Sequence, residues 1–331
     1  MVLECRERQG PRRLFWIALA VAATMFLLIF LGGLVTTQDA GMAVPDWPGT
    51  YGYNMFAYPW TTWLYGPMDL LIEHGHRLLG TVVGLLAIFL TVVAWFHRSE
   101  RWLFWFALGL LLAIIGQGVL GGVRVLRDAR TLAMVHGCTG PLVFGLASAM
   151  VLCTSRSWKL LPRCSVGGGR LRWWLVMQTA LAILQLLVGA QLRHCEAWLP
   201  PSSFTGIVHL HLTLAGLLTI VVTTNSLRII LGQTASHPMT GRLAWLMLGL
   251  LGCQLLLGVA TWIVNYALPW QGAGPLASYT IGLKGYWESW ITTCHQATGS
   301  LIIASSLALA LVVFRQSTLS KPLPSAKLLQ L

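Results

Sequence analysis

The side chains best equipped for chemistry are histidines set just inside long apolar runs. In Ile72-Glu73-His74-Gly75-His76-Arg77-Leu78-Leu79-Gly80, four ionisable side chains stand at the mouth of a stretch that continues from Thr81 to Trp95 without another charge. The arrangement recurs at His136-Gly137-Cys138-Thr139-Gly140, His211-Leu212-Thr213-Leu214-Ala215-Gly216 and His295-Gln296-Ala297-Thr298-Gly299. An ionisable residue inside a membrane span is costly enough to mark a functional site, and neutral imidazole is a common metal ligand. A single such histidine is ordinarily a hydrogen-bonded packing residue. Four at equivalent places, each followed by small residues a turn later, point to metal or haem ligation.

Those histidines need long apolar elements to carry them, and composition supplies the elements. The 331 residues are 56% hydrophobic and 10% charged, with mean hydropathy +0.70, which excludes a water-soluble globular domain. Apolar runs fall at about 14–36, 69–96, 102–123, 132–154, 171–192, 207–231, 242–266 and 289–314, each near the ~20 residues that span a bilayer. The expected fold is therefore an all-α membrane protein of eight transmembrane helices. The net charge of +12 reads as orientation, not as nucleic-acid binding, because Lys and Arg collect in cytoplasmic loops. Arg6, Arg8, Arg12 and Arg13 precede the first run, Arg98 and Arg101 follow the second, and Arg156 to Arg172 follow the fourth. Arg228 and Arg242 flank the loop after the sixth, and Arg315, Lys321 and Lys327 come last. Both termini are expected in the cytoplasm, with the first run a retained helix and not a cleaved signal. Arg124, Arg127 and Arg130 break the rule on the outer side and ask for an anionic partner. The sixteen Trp fit interfacial belts, Trp47, Trp60, Trp63, Trp198, Trp262, Trp270, Trp287 and Trp290 lying near the outer ends. The seven Cys form no CxxC pair, so neither a zinc or iron-sulfur site nor a disulfide framework is indicated.

The chain divides at a Pro- and Gly-containing basic linker, Leu161 to Leu171, giving units 1–160 and 161–331. The halves resemble each other. Leu31-Gly32-Gly33-Leu34 answers Leu187-Val188-Gly189-Ala190, Gln117-Gly118-Val119-Leu120-Gly121 answers Gln254-Leu255-Leu256-Leu257-Gly258, and Glu73-His74-Gly75-His76 answers Val208-His209-Leu210-His211. Such a match predicts two pseudo-symmetric four-helix bundles related by an axis along the membrane normal. All four recurrent histidines then sit at one shallow outer level, two per bundle, where a pair can hold a haem iron from both sides. Small neighbours such as Gly75, Gly80, Gly137, Gly140, Gly216 and Gly299 let a flat macrocycle approach. His74 competes with His76, and His209 with His211, because residues two apart face opposite sides of a helix. His76 is preferred since Glu73 shares its face, and His211 since it repeats the spacing to a small residue. His97, His194 and His237 read as surface residues. Arg77 and the cluster Arg124, Arg127 and Arg130 are candidate partners for haem propionates.

With Glu73-x-x-His76-Arg77, single histidines opening the fourth, sixth and eighth runs, and Gly41-Met42-Ala43-Val44-Pro45-Asp46-Trp47-Pro48-Gly49-Thr50-Tyr51-Gly52 between the first two, the chain resembles the haem A synthase family along essentially its whole length. The resemblance implies an oxidoreductase of the cell (inner) membrane that oxidises the C8 methyl of haem O to the formyl of haem A for cytochrome oxidase. It implies His76 and His136 as metal ligands in the catalytic half with Glu73 near the substrate ring. It further implies His211 and His295 as ligands of a haem b cofactor, and Arg77 as a cofactor-binding residue. Haem O synthase, cytochrome oxidase and a quinone or other electron acceptor are the implied partners. Asp39 to Tyr65 contains no cysteine, so a mechanism using a cysteine pair there does not carry over. The competing function is a di-haem b membrane electron-transfer protein.

Overall fold

A computed structural model describes residues 2–161, 169–195, 199–232, 237–266 and 285–317. The chain is all helical over these residues apart from loops and one isolated bridge, Thr50 to Tyr53. Eight long helices carry the apolar runs: α1 Val2–Thr37, α2 Met68–Phe96, α3 Arg101–Leu126, α4 Arg130–Thr154, α5 Gly169–Arg193, α6 Pro201–Ile230, α7 Pro238–Tyr266 and α8 Tyr286–Ser317. Each is long and apolar enough to cross a membrane. Short helical turns at Ala40–Met42, Trp60–Leu64, Arg98–Glu100 and Arg156–Lys159 punctuate the connections.

Several helices begin earlier than apolarity predicts, and of those that carry the histidines α6 does so by the most. α6 starts at Pro201, where proline suits the first helical position because its missing N–H has no partner there in any case. Its first turns are polar outside, but Phe204 and Val208 are buried with Cys195. α8 likewise starts at Tyr286. His76 consequently lies eight residues after Met68, His136 six after Arg130, His211 ten after Pro201 and His295 nine after Tyr286. At 1.5 Å per residue these are depths of roughly 9 to 15 Å, deeper than the apolar runs imply.

Helix α1 packs on α2 and α4, α2 on α3, and α3 on α4; α5 packs on α6 and α8, α6 on α7, and α7 on α8. Contacts of α8 with α1 and α4, and of α4 with α5, join the two groups. Each group buries its own apolar core. One comprises Leu14, Val21, Ala87, Leu90, Leu103, Leu110, Ala147 and Met150, the other Leu171, Leu175, Val222, Met247, Ile302 and Leu309. Both cores fill the end of the helices remote from the histidines. Towards the end that carries the loop of residues 38–67, here the loop end, glycines and polar side chains replace them. The linker proposed from Leu161 to Leu171 lies mostly outside the described residues, as do Trp198 and Trp270.

Candidate functional site

His76 and His136 enter from α2 and α4 and meet, their ring centroids 6.5 Å apart and their planes at 87°. A glycine on the preceding helix makes room for each. A Cβ on Gly32 of α1 would stand 3.0 Å from His76 Cε1, and one on Gly121 of α3 would stand 3.1 Å from His136 Cε1. The relation repeats with Gly189 of α5 against His211 at 3.1 Å and Gly258 of α7 against His295 at 3.2 Å. Carbon atoms rest at about 3.5–4.0 Å, so a side chain at any of these positions would displace the ring. Without one, the imidazole lies against the helix backbone. The Nδ1 atoms of all four rings are buried without a hydrogen-bond partner.

Glutamines stand one turn before three of the four glycines. Gln185 Nε2 lies 3.2 Å from His211 Nε2 and Gln254 Nε2 lies 3.4 Å from His295 Nε2. With the amide nitrogen as donor, these ring nitrogens accept, which is the tautomer that carries its proton on Nδ1. That tautomer leaves the Nε2 lone pair free for a metal once the amide withdraws. Gln117 donates instead to Thr139 Oγ1, and Leu28 takes the equivalent place beside His76.

The histidines come in twos. Among the described residues no three His, Cys, Asp or Glu side chains gather, while His295 lies in electrostatic range of His211. A metal taking two imidazoles needs its remaining ligands from elsewhere, as a porphyrin provides. The spacing of His76 and His136 suits this: two metal–nitrogen bonds of about 2 Å and about 1 Å from each nitrogen to its ring centre come to roughly 6 Å. The donor set and the spacing fit bis-histidine haem ligation.

The small residues flanking the histidines on their own helices differ in what they meet. Positions Gly75, Gly80 and Gly216 face open space, Gly140 adjoins Gln117 Oε1, and Gly299 adjoins Gln254 Nε2.

His74 and His76 separate as helical geometry requires. His74 is 1% exposed, its Nδ1 is 3.2 Å from Thr50 Oγ1, and its ring packs between Tyr58 and Trp63. It anchors the 38–67 loop. On α6, His209 is exposed while His211 faces Gln185.

That loop is bolted to α2 by the two charged residues expected at the chemistry. Glu73, 1% exposed, accepts the Val44 N–H on Oε2 at 2.8 Å and Arg77 Nη2 on Oε1 at 2.9 Å. Arg77 donates from Nη1 to the carbonyls of Asp46 and Gly49 and from Nη2 to that of Val44. Its guanidinium is thereby committed to the loop. Asp46 accepts the N–H groups of Tyr51 at 2.8 Å and Gly52 at 2.9 Å. Burial raises its pKa, but those N–H groups and Arg77 outweigh this and hold the carboxyl below its ordinary value. Tyr51 and Gly52 have φ of 50° and 79°, both left-handed, as a two-residue turn between paired residues requires. Trp47 is packed onto α3, where a Cβ on Gly122 would collide with its indole.

Arg124 reaches into the same region, with Glu73 Oε1 at 3.8 Å and Gly41 in contact. His194 is not the surface residue expected. It packs towards Gly137, its Nε2 3.9 Å from that residue's Cβ position, and burial followed by Arg193, Arg130 and Arg124 depresses its pKa to about 4. Only its place after the fifth run could have signalled this. His237 caps α7, its Nδ1 accepting the Met239 N–H.

Fold and site together define an eight-helix protein of membrane-spanning length whose histidines pair at one end of two packed helix groups. A profile of the Cytochrome oxidase assembly protein family matches residues 67–281, and the chain belongs to that family. It is similar to the "Heme A synthase" of Lysinibacillus sphaericus, 26% identical over 151 residues that cover 44% of this chain and 46% of the relative. The "Heme A synthase" of Symbiobacterium thermophilum is 33% identical over 122 residues, 36% of this chain and 37% of that protein. That of Alkalihalophilus pseudofirmus is 25% identical over 190 residues, 54% and 59% respectively. The chain thus matches about half the length of these curated relatives.

Proposed function

We propose that the chain is a haem A synthase, oxidising the C8 methyl of haem O to a formyl group. The observation that carries this reading is the fourfold repeat of a histidine pressed on a glycine, with a latched loop beside the first pair. Two like sites suit one resident haem and one that is exchanged. His76 and His136 would hold haem O as substrate. His211 and His295 would hold a haem b, which when bound supplies a one-electron redox centre.

Glu73 and Arg77 enter this reading as positioning residues. Both Glu73 oxygens are engaged, so its work is to fix Val44 and Arg77 and thereby the roof that excludes water from the His76 side. Units 1–160 and 161–331 are two pseudo-symmetric bundles on this view, the paired glycines and glutamines being the internal repeat. The distribution of basic residues supports both termini in the cytoplasm and the loop end on the outer side of a cell membrane. Removal of the electrons falls to a quinone or other acceptor, with haem O synthase and cytochrome oxidase as neighbours in supply and use.

The test is extraction and chromatography of haem from the chain expressed with a source of haem O. New haem A supports the enzyme. Haem B alone identifies a di-haem electron carrier.

A further inference from the structure

Each helix group has a buried layer at the same remove from its histidines, and the two layers differ in kind. In the second group, Gln178 lies eleven residues before Gly189, Met247 eleven before Gly258, Ser306 eleven after His295 and Asn225 fourteen after His211. At 1.5 Å per residue the layer is roughly 16 to 21 Å along the helices from the rings. The same spacings counted from Gly32, Gly121, His136 and His76 fall on Val21, Leu110, Ala147 and Leu90. All eight residues are at most 1% exposed.

In the first group this layer is hydrocarbon and belongs to the apolar core. Next to Leu90, Thr91 Oγ1 lies 3.3 Å from the carbonyl of Ala107 and links α2 to α3 alone. In the second group the layer is a chain of polar contacts through all four helices. Asn225 of α6 donates from Nδ2 to Gln178 Oε1 of α5 at 3.0 Å. Gln178 donates from Nε2 to Ser306 Oγ of α8 at 3.1 Å, and Ser306 donates to Met247 Sδ of α7 at 3.9 Å.

Hydrocarbon side chains lose little when helices part in a membrane, because lipid tails replace their contacts. Amides that part into hydrocarbon have no new partner, and an unsatisfied amide costs more than the bond it made. The second group is therefore harder to open at this layer than the first. The four helices it ties are those that carry His211, His295 and the glycines, Gly189 and Gly258, on which those rings rest.

We propose that Gln178, Asn225 and Ser306 are positioning residues that keep the second histidine pair closed on its haem, while the apolar layer of Val21, Leu90 and Ala147 lets the first pair exchange. The proposal rests on the haem reading of the pairs. It makes retention of the resident haem a property of the helix core remote from the ligands.

The experiment follows transfer of haem from the purified full-length protein to an excess of apomyoglobin. The slow phase abolished in His211→Ala is loss from the second pair. A triple variant, Gln178→Met with Asn225→Leu and Ser306→Ala, keeps the side-chain shapes and strands no polar partner. Its slow phase should run about tenfold faster than the parent's, the worth of two interhelical bonds in a membrane, with melting close to the parent. Ser306→Ala alone, which removes one oxygen, should accelerate that phase about threefold. The phase that depends on His136 should keep its rate in both. An unchanged slow phase in Ser306→Ala overturns the proposal, whether or not the triple variant folds. Equal acceleration of the His136-dependent phase also overturns it, because a general loosening of the protein would act on both. Haem loss indifferent to His211→Ala and His295→Ala overturns the haem reading of that pair, and the proposal with it.

Discussion

Replacing Glu73 by Gln separates a roof-holding role from a chemical one. The Glu73 and Arg77 side chains are 2% and 8% exposed, so their ion pair is buried, and removing one partner of a buried pair costs about 3–5 kcal/mol. Gln keeps the volume and one oxygen, which can still accept the Val44 N–H. Its NH2 group must then face the Arg77 donors across 2.9 Å, donor against donor. Glu73→Gln should therefore fall near the lower end, about 3 kcal/mol, and Glu73→Ala near the upper end because it also orphans Val44. The loss is local to the loop: residues 38–67 should become open to protease at concentrations that spare the parent, and haem A output should fall with loop protection. Haem b content should hold, since no residue of the second pair touches this ion pair. A Glu73→Gln protein with a protected loop, parental melting and no haem A would refute this reasoning. The carboxylate would then act on the reaction itself.

The glycine seats make a sharper structural comparison within α3. Gly121→Ala should destabilise by about 1–3 kcal/mol through overpacking on His136, whereas Gly118→Ala, which meets nothing within 4 Å, should be neutral or stabilising; equal melting curves would contradict the seating of the ring. Gly122→Ala should free the loop to protease as Trp47→Ala does, because either change removes the indole from its place on α3, and protection in both would show that Trp47 does not hold the loop. The depressed carboxyl of Asp46 contributes stability that is fully present above its unfolded value of ~3.9 and is lost as pH falls through its lower folded value. Loop protection should thus survive to about pH 4 and fail below it, while Asp46→Asn should flatten that dependence; an unchanged profile in Asp46→Asn would remove the staple from the account.

Eight helices were legible because a twenty-residue apolar run has few other uses, and the described helices cover each run to within a residue. Their first turns were not, since Pro201 to Val208 alternates polar and apolar residues and only packing on Cys195 shows that it is helix. The four histidines stood out as polar atoms in apolar surroundings. What the ring touches was hidden, because the relevant glycines lie on a different helix: the internal repeat marks Gly32, Gly121, Gly189 and Gly258 but ties none of them to a histidine. The internal match of Gln117 with Gln254 and of Gly121 with Gly258 was visible; that Gln254 would lie against His295 Nε2 was not. Glu73 and Arg77 were identifiable as unusual, but spacing on one helix cannot reveal that Val44, Asp46 and Gly49 come back to meet them. His194 stayed hidden for the opposite reason: a histidine beside an arginine at a helix end looks solvated until α4 packs over it.

The most direct test of two histidine pairs with different tasks is the haem inventory of four purified variants, His76→Ala, His136→Ala, His211→Ala and His295→Ala, each expressed with a source of haem O. The account predicts that the first two retain haem B and yield no haem A, while the last two lose the stably bound haem B. Parental haem A from His76→Ala or His136→Ala, or full low-spin haem B in both His211→Ala and His295→Ala, would contradict it.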